Sequence, residues 1–260
     1  MIIGVDIDEI LGEFYRGFLA WMKENQGITV SYDELYTYRL CTVLGESQEK
    51  SLERLHTYLR KHAKDLALVP GAQEGIRALS QKHTLYAITS RDKFSEQDTR
   101  EWLRTHFEDA FEDVYFANHA ADDFHVSKSH FTEQLGVDIM IEDYEGYALD
   151  IAHSGTTVVM LEKPWNNKEH HKNVFVMNSW KRIPHFVTDF AHRQSFEPGL
   201  YQHYKGAVYK AVRLVRDEDT LLSRVVYCNR DESMWWGRPL HDFYANVDAG
   251  KRFEKFSQTE

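Results

Sequence analysis

Short apolar runs alternate with longer amphipathic segments over the first 180 residues of the chain. Runs that are apolar throughout are typical of strands that are covered on both faces of a sheet. The helix-length segments between them supply the crossovers that parallel strands require. We therefore predict an α/β fold, a Rossmann-like parallel sheet built from MIIGVDI, TLYAITS, DVYFAN, VDIMIED, TTVVML and NVFVMN.

The connection between the first two predicted strands is unusually long. It spans roughly 75 residues and contains helical patterns near residues 12–25 and 47–64, whereas a crossover needs little more than one helix. We predict a helical cap inserted over about residues 12–70. An insertion after the first strand lies at the carboxyl end of the sheet, where open α/β folds bind ligands, so we expect it to cover the site. The alternative is a helical decoration remote from any site.

The pattern changes after Pro198 and Gly199, where short β-prone segments are separated by charged turns. We predict a first domain over residues 1–190 and a small all-β, barrel-like domain over residues 199–260. The formal charge is −10 for the whole chain, but the second domain holds 10 Lys/Arg against 9 Asp/Glu. This asymmetry favours two modules with separate roles.

Composition excludes several classes of protein. A hydrophobic fraction of 42% is enough for a packed core, and no apolar run reaches the roughly 18 residues of a membrane helix. The first predicted strand begins at Met1 without a basic leader, so we expect a cytoplasmic protein. The two cysteines are far apart and indicate neither a disulfide framework nor a cysteine zinc site. The negative charge argues against binding of long nucleic acid.

Polar residues occur at the carboxyl ends of the predicted strands, which meet at one edge of a parallel sheet. Singly, each has an ordinary structural explanation, such as a helix N-cap or a solvated acidic turn. Together they supply the acids, the hydroxyl and the lysine of a magnesium-dependent phosphoryl transfer site. The set comprises Asp6 and Asp8, then Thr89, Ser90 and Arg91, then Lys128 at the start of a later helix, and finally Glu142 and Asp143.

This order of motifs, DID, ITS, a lysine and IED, resembles the haloacid dehalogenase superfamily of phosphohydrolases. Over residues 1 to about 190 the chain is similar to the 5'(3')-deoxyribonucleotidase-like group. The segments that carry this second resemblance are AITSR followed by TREWL, GVDIMIEDYEGYALDIAHSG, VVMLEKPWN and NSWKRI. Residues 199–260 resemble a small bacterial domain of unknown function through GLYQHYKG, VVY and WWGRPLHDF.

The superfamily resemblance implies a role for each acid at the first strand and at IED. Asp6 is expected to attack phosphorus and form an aspartyl-phosphate. Asp8 is expected to protonate the leaving alcohol and later to activate water. Mg²⁺ is the implied cofactor, held by Asp6, the backbone carbonyl of Asp8 and Asp143. Glu142 is expected to orient water at the metal rather than to bind the metal itself.

The resemblance also implies a phosphate-binding set. Thr89, Ser90 and the backbone N–H groups after Thr89 are expected to hold phosphoryl oxygens. Lys128 is expected to neutralise the nucleophile and the developing charge. Arg91 is expected to be a second phosphate contact, and its alternative is a local pair with Asp92 or Glu96.

Two features of the first half bear on the substrate. Glu9 adds a negative charge where an anionic substrate is expected to enter. The cap region is rich in aromatic residues that either stack on a nucleobase or form the core of the cap, and the helical spacing of several favours a core. They are Phe14, Tyr15, Phe18, Trp21, Tyr32, Tyr36 and Tyr38.

The sequence therefore predicts a Mg²⁺-dependent phosphomonoester hydrolase, a nucleotidase acting on nucleoside monophosphates. A first alternative keeps the chemistry and changes the substrate to a sugar phosphate, another small ester or a polynucleotide 3'-phosphate end. A second alternative is a non-catalytic binding or regulatory protein. The expected partner is a small phosphorylated substrate, with a homodimer as an open option and an unknown partner for the C-terminal domain.

Overall fold

The computed structural model describes residues 1–117, 126–166, 171–247 and 250–256. The chain divides into two compact units, Met1–Ile183 and Pro184–Glu260. The division falls at the start of a helix, Ile183–Ser195, that leads into the second unit.

The first unit is built on a parallel sheet of six strands, which confirms the predicted α/β class. All of its strand pairs are parallel, in the order β3-β2-β1-β4-β5-β6. Each strand lies within one of the apolar runs of the sequence. The strands are β1 (Ile2–Val5), β2 (Thr84–Thr89), β3 (Asp113–Phe116), β4 (Ile139–Glu142), β5 (Thr157–Leu161) and β6 (Val174–Met177).

Helices follow the strands as crossovers. α7 packs on β4, β5 and β6, whereas α4 and α6 contact β2. A core cluster that includes Met140, Ile151 and Val158 is almost completely buried between α7 and the sheet. The crossover helices are α4 (Ala72–Ser80), α5 (Glu96–Phe107), α6 (Lys128–Leu135) and α7 (Glu145–His153), with short 3-10 helices at Lys93–Ser95 and Trp180–Arg182.

The long connection between β1 and β2 is helical, as its sequence pattern predicts. The apolar core of this connection forms between the helices α1 (Phe14–Gln26) and α3 (Gln48–His62). The ring centroids of Phe14 and Phe18 on α1 lie 5.4 and 5.5 Å from that of Tyr58 on α3. Trp21 joins the same cluster. The connection contains α1 (Phe14–Gln26), a 3-10 helix (Tyr32–Glu34), α2 (Leu40–Leu44) and α3 (Gln48–His62).

The second unit is antiparallel, which confirms a separate β region at the C-terminus; the barrel-like closure of this sheet stays a prediction. Its five-stranded sheet has the order β10-β9-β8-β7-β13, around a core that includes Tyr227, Phe243 and Phe253. The elements after α8 (Ile183–Ser195) are β7 (Gly199–His203), β8 (Val208–Arg216), β9 (Ser223–Asn229), β10 (Trp235–Pro239), α9 (Leu240–Phe243), β11 (Asn246–Val247), β12 (Gly250–Lys251) and β13 (Phe253–Lys255). Within the described part of the chain, no helix is long and apolar enough to cross a membrane.

Candidate active site

The candidate site lies where the carboxyl ends of β1, β2 and β4 meet. Asp6 follows β1 directly, and its N–H donates to the carbonyl of Ile141 at 3.0 Å. Thr89 ends β2 and Asp143 follows β4. Because β1 lies between β2 and β4 in the sheet, these residues converge although up to 137 positions separate them in sequence.

Lys128 is the cation at the centre of this edge. Its side chain is 1% exposed, and its Nζ lies 2.9 Å from Asp6 Oδ1 and 2.7 Å from Glu142 Oε2. Burial alone would lower the lysine pKa, but the two carboxylates outweigh burial and raise it. The lysine is therefore held charged between two acids.

The ionised form of Asp6 is disfavoured by its surroundings. Burial first, and then repulsion from Glu142, raises the pKa of Asp6 to about 8, against the opposing attraction of Lys128. One lysine therefore does not compensate for the loss of water around this carboxylate. Additional positive charge at this position would stabilise its ionised form.

Glu142 is fully occupied by protein donors. Lys128 donates to Oε2, and the backbone N–H groups of Asp143 and Tyr144 both donate to Oε1 at 3.2 Å. The side chain is 0% exposed and does not line the cavity above the sheet edge. Although Glu142 belongs to the acidic cluster, its free coordination capacity is low.

Asp143 differs from Glu142 because it lines the cavity. Burial, followed by the charges of Glu142 and Asp6, raises its pKa well above the usual range. Across the described residues, no lysine, arginine or histidine forms an ion pair with it. One carboxylate oxygen from each of Asp6, Glu142 and Asp143 lies within 4.8 Å of the other two. The cluster is thus a set of hard oxygen donors that is short of positive charge.

Asp8 is held by Arg91. The guanidinium donates from Nε to Oδ2 at 2.9 Å and from Nη2 to Oδ1 at 2.7 Å, and its Nη1 donates to Thr99 Oγ1 at 2.9 Å. The alternative expectation of a local pair between Arg91 and Asp92 or Glu96 is not borne out: the ion pair that the structure gives Arg91 is with Asp8. The carboxylate of Asp8 remains 28% exposed on the cavity side.

The hydroxyl residues after β2 have different surroundings. Thr89 is fully buried, and its Oγ1 accepts the backbone N–H of Arg91 at 3.2 Å. Ser90 lines the cavity together with Arg91. Thr89 therefore holds the turn after β2, and Ser90 lies at the cavity with its hydroxyl oxygen buried; the expected contacts of both residues with phosphoryl oxygens stay predictions.

Glu9 lines the cavity, as expected from the sequence, but its charge is paired with protein groups. Its residue is 2% exposed, and its carboxylate accepts from the Tyr15 N–H at 2.6 Å and from the Tyr32 hydroxyl at 2.7 Å. Lys163 Nζ lies 3.3 Å from Oε2. The Glu9 backbone has a φ of 62°, a left-handed conformation that is uncommon outside glycine. The loop after Asp8 is thus fastened to the cap.

A cavity of about 400 Å³ connects these groups to the cap, a volume within the range of small-molecule sites. Its floor includes Asp6, Asp8, Lys128 and Asp143. Of the cap aromatics, Phe14, Tyr15 and Tyr38 line the cavity, whereas Tyr36 is 64% exposed. The apolar part of the cap wall also includes Leu40, Leu52, Leu55 and Leu59.

Comparison with known protein families identifies the family to which this chain belongs. Residues 1–194 match the family described as "5' nucleotidase, deoxy (Pyrimidine), cytosolic type C protein", which covers well over half of the chain. The chain belongs to this nucleotidase family. The chain is accordingly an enzyme of the phosphohydrolase type, and the non-catalytic alternative is set aside. Residues 199–258 match a second family, a protein of unknown function named DUF1653.

A curated relative covers the same part of the nucleotidase. It is "Putative nucleotidase BH1399" of Halalkalibacterium halodurans, 23% identical over 194 residues, which are 74% of this chain and 95% of the relative.

Solved structures share the fold of the nucleotidase at low sequence identity. The haloacid dehalogenase-like family protein SP0104 of Streptococcus pneumoniae has a TM-score of 0.55 at 12% identity and covers 72% of this chain and 97% of its own. L-2-haloacid dehalogenase of Xanthobacter autotrophicus has a TM-score of 0.51 at 13% identity, with coverages of 72% and 98%. The "putative HAD-hydrolase YfnB" of Bacillus subtilis, described as bound to magnesium, has a TM-score of 0.50 at 15% identity, with coverages of 72% and 97%. These similarities confirm a haloacid dehalogenase-like fold.

Sequence reasoning missed part of the site of the nucleotidase. Trp165 donates from Nε1 to Asp143 Oδ2 at 3.0 Å, and Tyr147 lines the cavity with its ring 4.8 Å from Lys128 Nζ. The segment KPWN was visible only as part of a family resemblance. Neither periodicity nor strand position indicates that this loop returns to the acidic cluster.

Proposed function

We propose that this protein is a Mg²⁺-dependent phosphomonoester hydrolase that acts on nucleoside monophosphates through an aspartyl-phosphate at Asp6. The observation that carries the proposal is the arrangement at the floor of the cavity beneath the cap. Two buried carboxylates, Asp6 and Asp143, lie there with Lys128, and the positive charge of this lysine does not balance their negative charge. Phosphate monoesters hydrolyse so slowly unaided that the acceleration required reaches about 10²¹-fold. A site of this charge density suits that demand.

The donor set fits a hard divalent cation. It consists of carboxylate oxygens without nitrogen or sulfur ligands among the described residues, as Mg²⁺ prefers. The raised pKa values of Asp6 and Asp143 reflect negative charge that a bound cation would stabilise. Asp6, Asp143 and the backbone carbonyl of Asp8 are the proposed ligands, and Glu142 supports them from behind. When bound, Mg²⁺ supplies the charge neutralisation that lets a carboxylate approach a phosphate dianion.

The chain's own residues divide the remaining work. Asp6 attacks phosphorus, and Lys128 favours the ionised form of this carboxylate and orients it. Asp8 faces the cavity next to it, protonates the leaving oxygen and then takes a proton from the water that resolves the intermediate. The hydroxyl and the backbone N–H of Ser90 hold the phosphoryl oxygens. Arg91 holds Asp8 in place.

The cap supports a small substrate. The cavity combines a polar floor with an apolar and aromatic wall that includes Phe14, Tyr38 and Leu55, which suits a leaving group that carries a flat base, such as a nucleoside. The matched family name and the curated relative support the same substrate class. A polynucleotide 3'-phosphate end fits less well because the cap covers the site and the chain carries a net charge of −10.

The test is phosphate release by purified protein with Mg²⁺ against nucleoside monophosphates, sugar phosphates and a 3'-phosphorylated oligonucleotide. We expect the highest kcat/KM with a nucleoside monophosphate and loss of release in Asp6→Asn. Asp113→Asn is the matched control, since Asp113 is an exposed acid on β3. No release from any member, or equal release by Asp6→Asn, would contradict the phosphatase chemistry. A preference for sugar phosphates would contradict the nucleotide assignment alone.

A further inference from the structure

Residues 163–166, which follow β5, form a rigid bracket beside the acidic cluster. Asn166 Nδ2 donates to the carbonyls of Leu161 and Asp143 at 2.7 and 3.0 Å. Its Oδ1 accepts the N–H of Lys163 at 3.1 Å. Both ends of the amide are therefore used, and the loop is fixed to the backbone at the base of the site.

Trp165 projects from this bracket to Asp143. The indole is 4% exposed, and its Nε1 donates to Asp143 Oδ2 at 3.0 Å. An indole N–H is a neutral donor that cannot accept. It can therefore orient the Asp143 carboxylate while leaving the full negative charge available to a cation.

Two rings from the cap pack on the edge of Trp165. The ring centroid of Tyr15 lies 5.1 Å from that of Trp165 at an interplanar angle of 61°, and that of Tyr32 lies 5.5 Å away at 71°. These are the edge-to-face arrangements that aromatic pairs favour. The orientation of Trp165 thus depends on the position of the cap.

Glu9 fastens the same rings to the loop after Asp8. It accepts from the N–H of Tyr15 and from the hydroxyl of Tyr32, and Lys163 of the bracket compensates its charge at 3.3 Å. The cap, the bracket and the loop after Asp8 therefore meet at the buried carboxylate of Glu9. A buried polar network with all members paired is rigid and specific.

We propose that Trp165 is a positioning residue for Asp143: it holds the carboxylate in the orientation that takes the divalent cation, and it makes this orientation depend on the cap through Tyr15 and Tyr32. This inference rests on the proposed function, because it assigns a cation to Asp143. Loss of a hydrogen-bond partner behind a metal ligand typically lowers metal affinity by about 10- to 100-fold. The contacts of the cap with Trp165 thereby raise the affinity of the site for the cation.

The test compares Mg²⁺ binding by calorimetry, without substrate, in the wild type, Trp165→Phe and Trp102→Phe. Trp165→Phe keeps an aromatic ring and removes the N–H. Trp102→Phe makes the same change at a buried indole that donates to the carbonyl of Leu66 at 3.0 Å, away from Asp143. We expect the Mg²⁺ dissociation constant to rise about 10- to 100-fold in Trp165→Phe and to stay unchanged in Trp102→Phe. The phosphate release of Trp165→Phe should recover at high Mg²⁺ concentration.

A second variant covers the case in which Trp165→Phe does not fold. Tyr32→Phe keeps the ring on Trp165 and removes only the hydroxyl that donates to Glu9, so we expect a folded protein with several-fold weaker Mg²⁺ binding. Wild-type affinity in either folded variant would overturn the inference while leaving the proposed function intact. A wild-type protein that neither binds Mg²⁺ nor releases phosphate would overturn both.

Discussion

Arg91 and Asp8 form a two-pronged ion pair at the edge of the cavity, with distances of 2.9 and 2.7 Å. The Arg91 side chain is 1% exposed, whereas that of Asp8 is 28% exposed. The guanidinium therefore lies behind the carboxylate, with its third bond to Thr99 on α5. This arrangement fixes the direction in which Asp8 faces the cavity, because a planar guanidinium matches a carboxylate at two points.

Replacing Arg91 by lysine should lower kcat more than it changes KM. Lysine keeps the charge but makes no two-point contact, so Asp8 loses its fixed orientation. A misplacement of about 1 Å at a reacting group costs up to about 100-fold in rate, and we expect a loss of this order. Steady-state kinetics of Arg91→Lys with a nucleoside monophosphate measure both constants.

Arg100→Lys is the matched control for that variant. Arg100 forms exposed pairs with Glu96 and Asp113, and exposed pairs contribute little, so wild-type kinetics are expected. If Arg91→Lys instead raised KM and left kcat unchanged, Arg91 would be a phosphate contact rather than a positioning residue for Asp8.

Replacing Glu9 by glycine should destabilise the protein although it relieves backbone strain. Left-handed backbone costs a non-glycine residue about 1–2 kcal/mol. Removal of the carboxylate leaves Lys163 and the Tyr15 N–H without this partner in a buried setting, and breaking a buried pair costs about 3–5 kcal/mol. The second effect is larger, so we expect a net loss of about 2 kcal/mol, which denaturant unfolding would measure.

Glu108→Gly provides the comparison for the strain alone. Glu108 has a φ of 53° and a ψ of −127° and is exposed at the end of α5. Sparsely populated backbone conformations cost a non-glycine residue about 1–3 kcal/mol, so glycine should stabilise this position by about 1 kcal/mol. A stabilising Glu9→Gly of the same size as Glu108→Gly would show that the contacts of Glu9 carry no net stability.

Gly75→Ala should also destabilise the protein. In a helix interior alanine is favoured over glycine by roughly 0.5–1 kcal/mol, but a Cβ at Gly75 on α4 would overlap the ring of Trp180. Trp180 is 1% exposed and donates to the carbonyl of Ile10 at 2.7 Å, so it has little room to move. Overpacking costs about 1–3 kcal/mol, and we expect a net loss of about 1 kcal/mol in thermal unfolding.

Arg77→Ala is the control for that variant, since it introduces alanine on the same helix without an overlap. Arg77 is exposed on α4, and substitutions at such positions change stability by less than about 0.5 kcal/mol. An increase in stability for Gly75→Ala would mean that the Trp180 ring adapts.

The sheet and the convergence of the acids were predictable because they depend on local pattern. Strands that are apolar throughout indicate a sheet that is buried on both faces. The first polar residue after such a run indicates where the strand ends. Asp6 after β1 and Glu142 at the end of β4 are such residues, and Asp143 follows Glu142 directly. Their proximity then follows from the parallel arrangement of the strands.

The partners of the same acids were not predictable. For Arg91 the sequence indicates a phosphate contact or a local pair, whereas its ion pair in the structure is with Asp8, 83 positions away; the phosphate contact stays a prediction. Glu9 lines the cavity as expected, but no sequence signal indicates its pairing with Lys163, 154 positions away. Both contacts join loops whose side-chain directions no periodicity encodes, so only the assembled fold shows which charges are compensated and which, like that of Asp143, are not.

The most direct test of the account is the location of the phosphoryl group during turnover. The protein is mixed with substrate and Mg²⁺ and quenched in acid, and its peptides are mapped by mass spectrometry. The account predicts a phosphoryl group on Asp6, absent from Asp6→Asn and from samples without Mg²⁺. A phosphoryl group on any other residue, or equal labelling of the Asp6→Asn protein, would contradict it.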